Sequence, residues 1–158
     1  RVAEAQFTAR GINTHAFVSC QDEYSLIVRD NERDLFPAAQ AYNLGILPFF
    51  PLASGLLTGK YKRGAAAPAD TRFAKMQYLS DRYMTEANFD LVQKLQDFVN
   101  ARGRTMLELA FSWLAARPQV SSVIAGATRV EQIEQNVKAI GWKLTADEMA
   151  EIDAITKK

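Results

Sequence analysis

Two turns in this chain carry residues suited to holding an anion. The first is Pro51-Leu52-Ala53-Ser54-Gly55-Leu56-Leu57-Thr58-Gly59-Lys60, directly after the apolar run Ile46-Leu47-Pro48-Phe49-Phe50. Small residues let a ligand approach the backbone, the prolines stiffen the entry, and Lys60 brings a positive charge within reach. The second is Gly126-Ala127-Thr128, which follows Ser121-Ser122-Val123-Ile124-Ala125 and leads into a helix. Phosphate at that turn would meet free backbone N–H groups and the positive end of the helix. Taken singly, each is the ordinary use of glycine in a tight turn, with Thr128 a helix cap. As a pair with Lys60 they favour a phosphate site. Arg72 could return to it from an aperiodic stretch, the alternative being a solvated surface arginine. Phe49 and Phe50 alternate in direction at a strand end, so one ring could stack on a flat ligand while the other packs outward.

The remaining inventory excludes several chemistries. One histidine, His15, and one cysteine, Cys20, supply neither a metal cluster nor an internal disulfide, which fits a reducing compartment and a cytoplasmic location. There is no nucleophile elbow and no P-loop pattern. Asp22 and Glu23 are neighbours on an extended segment and point apart, so they are not an acid–base pair. A net charge of +1 gives no field to attract nucleic acid or a membrane surface. No apolar run approaches the ~20 residues that span a bilayer.

The elements that must position these turns alternate. Residues 1 to 10 read as a helix stopped by Gly11, and Ala16 to Gln21 as a strand. A helix that Asp30 or Asn31 can cap follows through Leu35, Ala38, Ala39 and Tyr42, and Pro37 within it fits a start near Leu35 or an irregular first turn. Ile46 to Phe50 is a second strand. Residues 61 to 83 show no clear period and read as a long connection. A helix over 86 to 102 precedes one capped by Thr105 with Glu108. Ser121 to Ala125 is a third strand, and a Thr128–Glu131 capping box opens a helix with Ile133, Val137 and Ile140 inward. The last helix starts at a Thr145–Glu148 box. This order predicts an α/β fold with three parallel βα units plus extra helices. Eight such units, ~250 residues, make a closed barrel, so the 158 residues here predict a partial (β/α)8 TIM barrel with open strand edges.

Phe49-Phe50-Pro51-Leu52-Ala53-Ser54-Gly55-Leu56-Leu57-Thr58-Gly59-Lys60-Tyr61 closely resembles the aromatic-Ser-Pro-Leu-Ala-x-Gly-Leu-Leu-Thr-Gly-Lys-Tyr loop of the aldo-keto reductases. Val123 to Thr128, followed by Glu131-Gln132-Ile133-Glu134-Gln135-Asn136, is similar to that family's Ile-Pro-Gly-Ala and Glu-Gln-Leu-x-x-Asn signature. Gln21 and Tyr24 stand in a segment like its Gln-x-x-Tyr-x-Leu strand. The resemblance implies a reductase that transfers hydride between NADPH and a small-molecule carbonyl. Gln21 would bond the nicotinamide carboxamide and Phe49 would stack on its ring. Leu52, Ala53, Ser54 and Leu56 would line the pyrophosphate, with Lys60 and Arg72 over the phosphates. Gly126, Thr128 and Gln132 would hold the 2′-phosphate end, and Gln135 and Asn136 the adenosine.

Phe50 departs from the pattern by standing where serine is usual, and Gln135 by standing where an acid is frequent. The family's catalytic aspartate, tyrosine, lysine and histidine lie in the first half of its barrel, and no segment here matches that half. The expectation is one C-terminal cofactor-binding half over 1–158, strands six to eight, which alone is inactive. The N-terminal half or a second copy would cover its open edges. The alternatives are a non-catalytic nucleotide-binding regulatory module and a self-assembling half-barrel.

Overall fold

The computed structural model describes residues 1–157. Two short strands, β1 (Ser19–Glu23) and β2 (Gly45–Phe49), pair in parallel, with Ser19 opposite Gly45 and Glu23 opposite Phe49. β1 begins three residues later than the apolar run Ala16 to Gln21 implies. The pairing with β2 sets its start: Val18 contributes only its carbonyl, to the Gly45 N–H at 3.0 Å, and the Phe17 and Val18 side chains are exposed.

The expected third strand is reduced to two parallel bridges, Ile46 with Val120 and Phe49 with Ile124. Pro48 explains the gap. Its neighbour Ile46 both donates, to the Gln119 carbonyl at 2.7 Å, and accepts, from the Ser121 N–H at 3.0 Å. Pro48 accepts from the Ile124 N–H at 2.9 Å but has no N–H to give back.

The helices among the described residues are α1 (Val2–Gly11), α2 (Asn31–Ala41), α3 (Arg72–Lys75), α4 (Gln77–Tyr83), α5 (Glu86–Asn100), α6 (Met106–Ala115), α7 (Val130–Lys138) and α8 (Ala146–Thr156), and α2 packs on both strands. The capping boxes at Thr105–Glu108 and Thr145–Glu148 form as expected. Asp30 takes the N-cap position of α2, as one of the two caps expected; the helix starts at Asn31 and not near Leu35, and carries Pro37 inside it, its first turn anchored by Asn31 Nδ2 donating to the Glu23 carbonyl at 2.7 Å. Two other expectations are corrected. Residues 61 to 83 contain α3 and α4, whose buried anchors Phe73, Leu79 and Tyr83 keep no single period across the break at Met76. The side chains of α7 meant for the interior are exposed, Ile133 at 55% and Val137 at 69%, because no element among the described residues packs on that face.

These parallel βα units, with open edges, are a partial (β/α)8 barrel. One polar cluster ties the layers together. Tyr24 stacks on Trp113 with ring centroids 5.0 Å apart and donates to Glu32 at 2.6 Å. Arg29 pairs with both Glu32 and Asp153 at 2.8 Å, and Arg117 reaches Asp153 at 3.0 Å. Both guanidiniums also lie against Trp113, at 5.0 and 4.4 Å from the ring centroid. Burial pushes the Glu32 and Asp153 carboxyls up, but their hydrogen bonds and the arginine charges outweigh it, and both end below the usual carboxylate range. β1, α2, α6 and α8 are thereby joined.

Removing Arg29 takes the nearest cation from two partly shielded carboxylates and leaves them Arg117, so Arg29→Met is expected to cost about 2 kcal/mol in urea unfolding. Lowered carboxyl values contribute stability that is present above the unfolded-state values and is lost as pH falls through the folded ones. Unfolding free energy should therefore begin to drop below about pH 4 and keep falling under more acidic conditions. In Glu32→Gln, measured over the same series, the fall should be shallower.

Candidate functional site

The loop after β2 is built from backbone that side chains rarely adopt. Phe50, Ala53 and Ser54 have φ of 52°, 46° and 56°, Gly55 has 101° and Gly59 has 73°. Each non-glycine residue in this region costs about 1 kcal/mol or more. The core offsets this by sealing Ala53, Leu56 and Leu57, which are at most 1% exposed. Two short 310 turns result within Ala53–Thr58, separated by a kink at Ser54 and Gly55, with Thr58 Oγ1 bonded to the Gly55 carbonyl at 2.8 Å.

This conformation leaves polar groups without partners. The N–H groups of Leu52 and Ser54 donate to no other group among the described residues. Ser54 Oγ is buried with no hydrogen bond, as is Tyr61 Oη. Three successive left-handed residues, Ala53, Ser54 and Gly55, turn the chain sharply and leave these groups free for an outside partner. Lys60 bends back over this turn: a Cβ on Gly55 would stand 3.3 Å from Lys60 Nζ and 3.6 Å from the Tyr61 ring.

Arg72, at the start of α3, reaches both turns. Its guanidinium carbon lies 5.7 Å from the centre of the Phe50 ring, and its Nη2 would be 3.6 Å from a Cβ on Gly126. Phe50 leaves the strand in the left-handed region, so it does not alternate with Phe49. The two rings meet edge to face at 5.3 Å and 78°. A side chain of serine size at this place would give the Arg72 guanidinium no ring to rest on.

On β1 and β2 the pleat sends Ile46 and Pro48 into the helix layer and Gln21, Leu47 and Phe49 to the other side, where Gln21 is exposed and Phe49 half-buried. Gln21 and Phe49 therefore share the open face. Ala53 and Leu56 offer a ligand only their backbones, since their side chains are sealed. Thr128 is not the cap of α7: Arg129 takes that place, and the Gln132 side-chain oxygen accepts from the Thr128 N–H at 2.8 Å and from its hydroxyl at 3.2 Å. The helix starts one residue too late for the Glu131 box. Gln135 is exposed on α7, whereas Asn136 lines a separate groove of about 430 Å3 with Phe111 and Val137. A cavity of about 520 Å3 beside Gly59 and Phe89 includes none of the candidate residues. The candidate site is an open face.

Sequence reasoning missed Tyr61, Glu23, Arg82 and Tyr83. Glu23 accepts from the Tyr83 hydroxyl and from Arg82 Nη2, the latter at 2.6 Å. The partners are 59 and 60 residues away, and no local spacing signals them. No three His, Cys, Asp or Glu side chains among the described residues could hold a metal ion.

Parallel βα units with two small-residue loops at the carboxyl ends of adjacent strands define a partial α/β barrel, a fold whose ligand sites lie at that end of the strands. The chain belongs to the Aldo/keto reductase family, whose profile matches residues 8–157. It is 36% identical over 162 residues to "Probable voltage-gated potassium channel subunit beta" of Oryza sativa subsp. japonica, covering 99% of this chain and 49% of that protein. A protein of the same name from Arabidopsis thaliana is 41% identical over 123 residues, 76% of this chain and 37% of its own length. "L-glyceraldehyde 3-phosphate reductase" of Escherichia coli O157:H7 is 37% identical over 139 residues, 84% of this chain and 40% of that protein. The chain thus spans half or less of the relatives it matches.

Gly55→Ala places a side chain at φ 101° and presses on Lys60. It is expected to lower the unfolding free energy by about 1–3 kcal/mol, which thermal or urea denaturation checks directly.

Proposed function

We propose that this chain is the NADPH-binding, C-terminal half of an aldo-keto reductase barrel. The observation that carries the reading is the pairing of unpartnered Ser54 and Leu52 backbone donors, and a buried, unpaired Ser54 Oγ, with Lys60 over the first turn and Arg72 between the first and the second. Those groups fit a pyrophosphate: free N–H donors and two cations answer its charge. Leu52, Ala53, Ser54 and Leu56 would contact it through backbone, with Lys60 and Arg72 outside. Gly126, Thr128 and Gln132 would hold the 2′-phosphate, where the Thr128–Gln132 hydrogen bonds fix both side chains in advance. Gln135 and Asn136 would flank the adenosine. Gln21 would orient the nicotinamide amide, and Phe49, on the same open face, would support its ring.

When bound, the nicotinamide supplies hydride to an aldehyde or ketone carbon. This chain's residues bind and orient it, and a proton donor for the carbonyl oxygen comes from the complementary N-terminal half. That half would also cover the exposed apolar side chains of α7 and the segment before β1. The carbonyl substrate is shaped by residues outside this chain. A cytoplasmic setting agrees with the single, half-buried cysteine. No helix among the described residues is long and apolar enough to cross a membrane.

A second reading, a nucleotide-binding regulatory subunit without turnover, is favoured by the names of the rice and Arabidopsis relatives. The two readings separate in one assay. The chain alone is expected to show no aldehyde-dependent loss of NADPH absorbance, and the protein with its complementary half is expected to show it. Tight binding without turnover in the completed protein selects the regulatory reading. In the completed protein, Lys60→Met and Arg72→Met should each weaken NADPH binding about tenfold, with a smaller dependence on salt. Unchanged affinity in both variants, read by fluorescence titration, would sink the assignment of this loop.

A further inference from the structure

Residues 61–83 leave the β2 loop, carry Arg72 over Phe50 and Gly126, and come down beside the end of β1. Along this strap only a few side chains grip the body. Phe73, next to Arg72, is 2% exposed and lies between the Tyr61 and Tyr83 rings, with centroids 4.6 and 6.1 Å away. At its far end, α4 delivers Tyr83 and Arg82 together to Glu23. The Tyr83 hydroxyl donates to Glu23 Oε1, and Arg82 Nη2 donates to Glu23 Oε2 at 2.6 Å while its guanidinium lies over the Tyr83 ring at 5.2 Å. Both oxygens of one carboxylate are thus committed to the strap. The Tyr83 carbonyl is held in turn by the buried Asn88 side chain at 2.9 Å.

Glu23 is itself fixed. It is 8% exposed, it ends β1 opposite Phe49, and its carbonyl accepts from Asn31 at the start of α2. A rigid strand therefore holds one end of the segment whose middle carries Arg72. Charge-assisted hydrogen bonds of this kind are the strong ones, and a carboxylate freed of both partners would be left shielded and unpaired.

We propose that Glu23 is a positioning residue: its carboxylate latches the 61–83 strap through Tyr83 and Arg82, keeps Arg72 across the two loops, and so slows release of the bound dinucleotide. The inference rests on the NADPH reading above. It adds a residue pair that touches no cofactor yet sets its residence time.

The test uses the completed protein with NADPH as probe, in Glu23→Gln, Arg82→Met and the double variant. Arg82 has a half-exposed side chain, so Arg82→Met spares the core even if Glu23→Gln fails to fold. Two quantities are read: amide hydrogen exchange over 61–83 without cofactor, and the NADPH release rate by stopped flow. The latch predicts faster exchange in the strap and release faster by about tenfold in each single variant, with no further gain in the double. Arg82→Lys, which keeps a cation on Glu23, should recover slow release, and the unfolding midpoint of Arg82→Met should stay near that of the parent. Faster exchange with unchanged release overturns the proposal and leaves the NADPH reading standing. Unchanged exchange and release overturn it as well. Failure of the parent protein to bind NADPH overturns both.

Discussion

A guanidinium shielded from water is tolerated only where several acceptors converge on it, and Arg29 meets that condition with Glu32, Asp153 and the Thr156 hydroxyl around it. Those partners come from α2 and α8, at opposite ends of the chain. Because Trp113 of α6 lies under both Arg29 and Arg117, the same cluster also fixes the helix that backs the strands. With only two short strands in a regular ladder, backbone pairing alone is a small contribution, and this cluster together with the aromatic core holds the strand ends in place. The loop of the candidate site starts from the end of β2.

Strain and anchoring are matched at the β2 loop. A run of left-handed residues through Phe50, Ala53 and Ser54 is unfavourable by itself, yet sealed neighbours at Leu56 and Leu57 leave the chain no better path. The outcome is a turn that leaves the Leu52 and Ser54 N–H groups without a partner among the described residues. Arg72 then crosses from a segment with its own anchors, so the two small-residue turns behave as one surface. The exposed apolar face of α7 marks the opposite condition, with Val130, Ile133 and Val137 left largely uncovered by the described residues.

Much of the architecture was legible from residue patterns. The capping boxes at Thr105 and Thr145 name their helices because the interaction is local, and so does Gly103, at φ 61°, after α5. Signals that depend on distant partners were misread. The third strand failed as a ladder because Pro48 lies in its neighbour. The α7 start shifted because Gln132, not Glu131, reaches back to Thr128. The strap over 61–83 hid two helices because its anchors answer to Tyr61 and Glu23 and keep no period of their own.

The sequence by itself determined the order of parallel βα units, the two small-residue turns and the family to which they belong, since each of these is carried by contiguous residues. Only the tertiary structure decided that Arg72 spans both turns, that Phe50 supports it where a smaller residue was expected, and that Glu23, with nothing in its surroundings to mark it, closes the strap. Those facts depend on side chains tens of residues apart meeting across the strand ends, and nothing in local spacing encodes such a meeting.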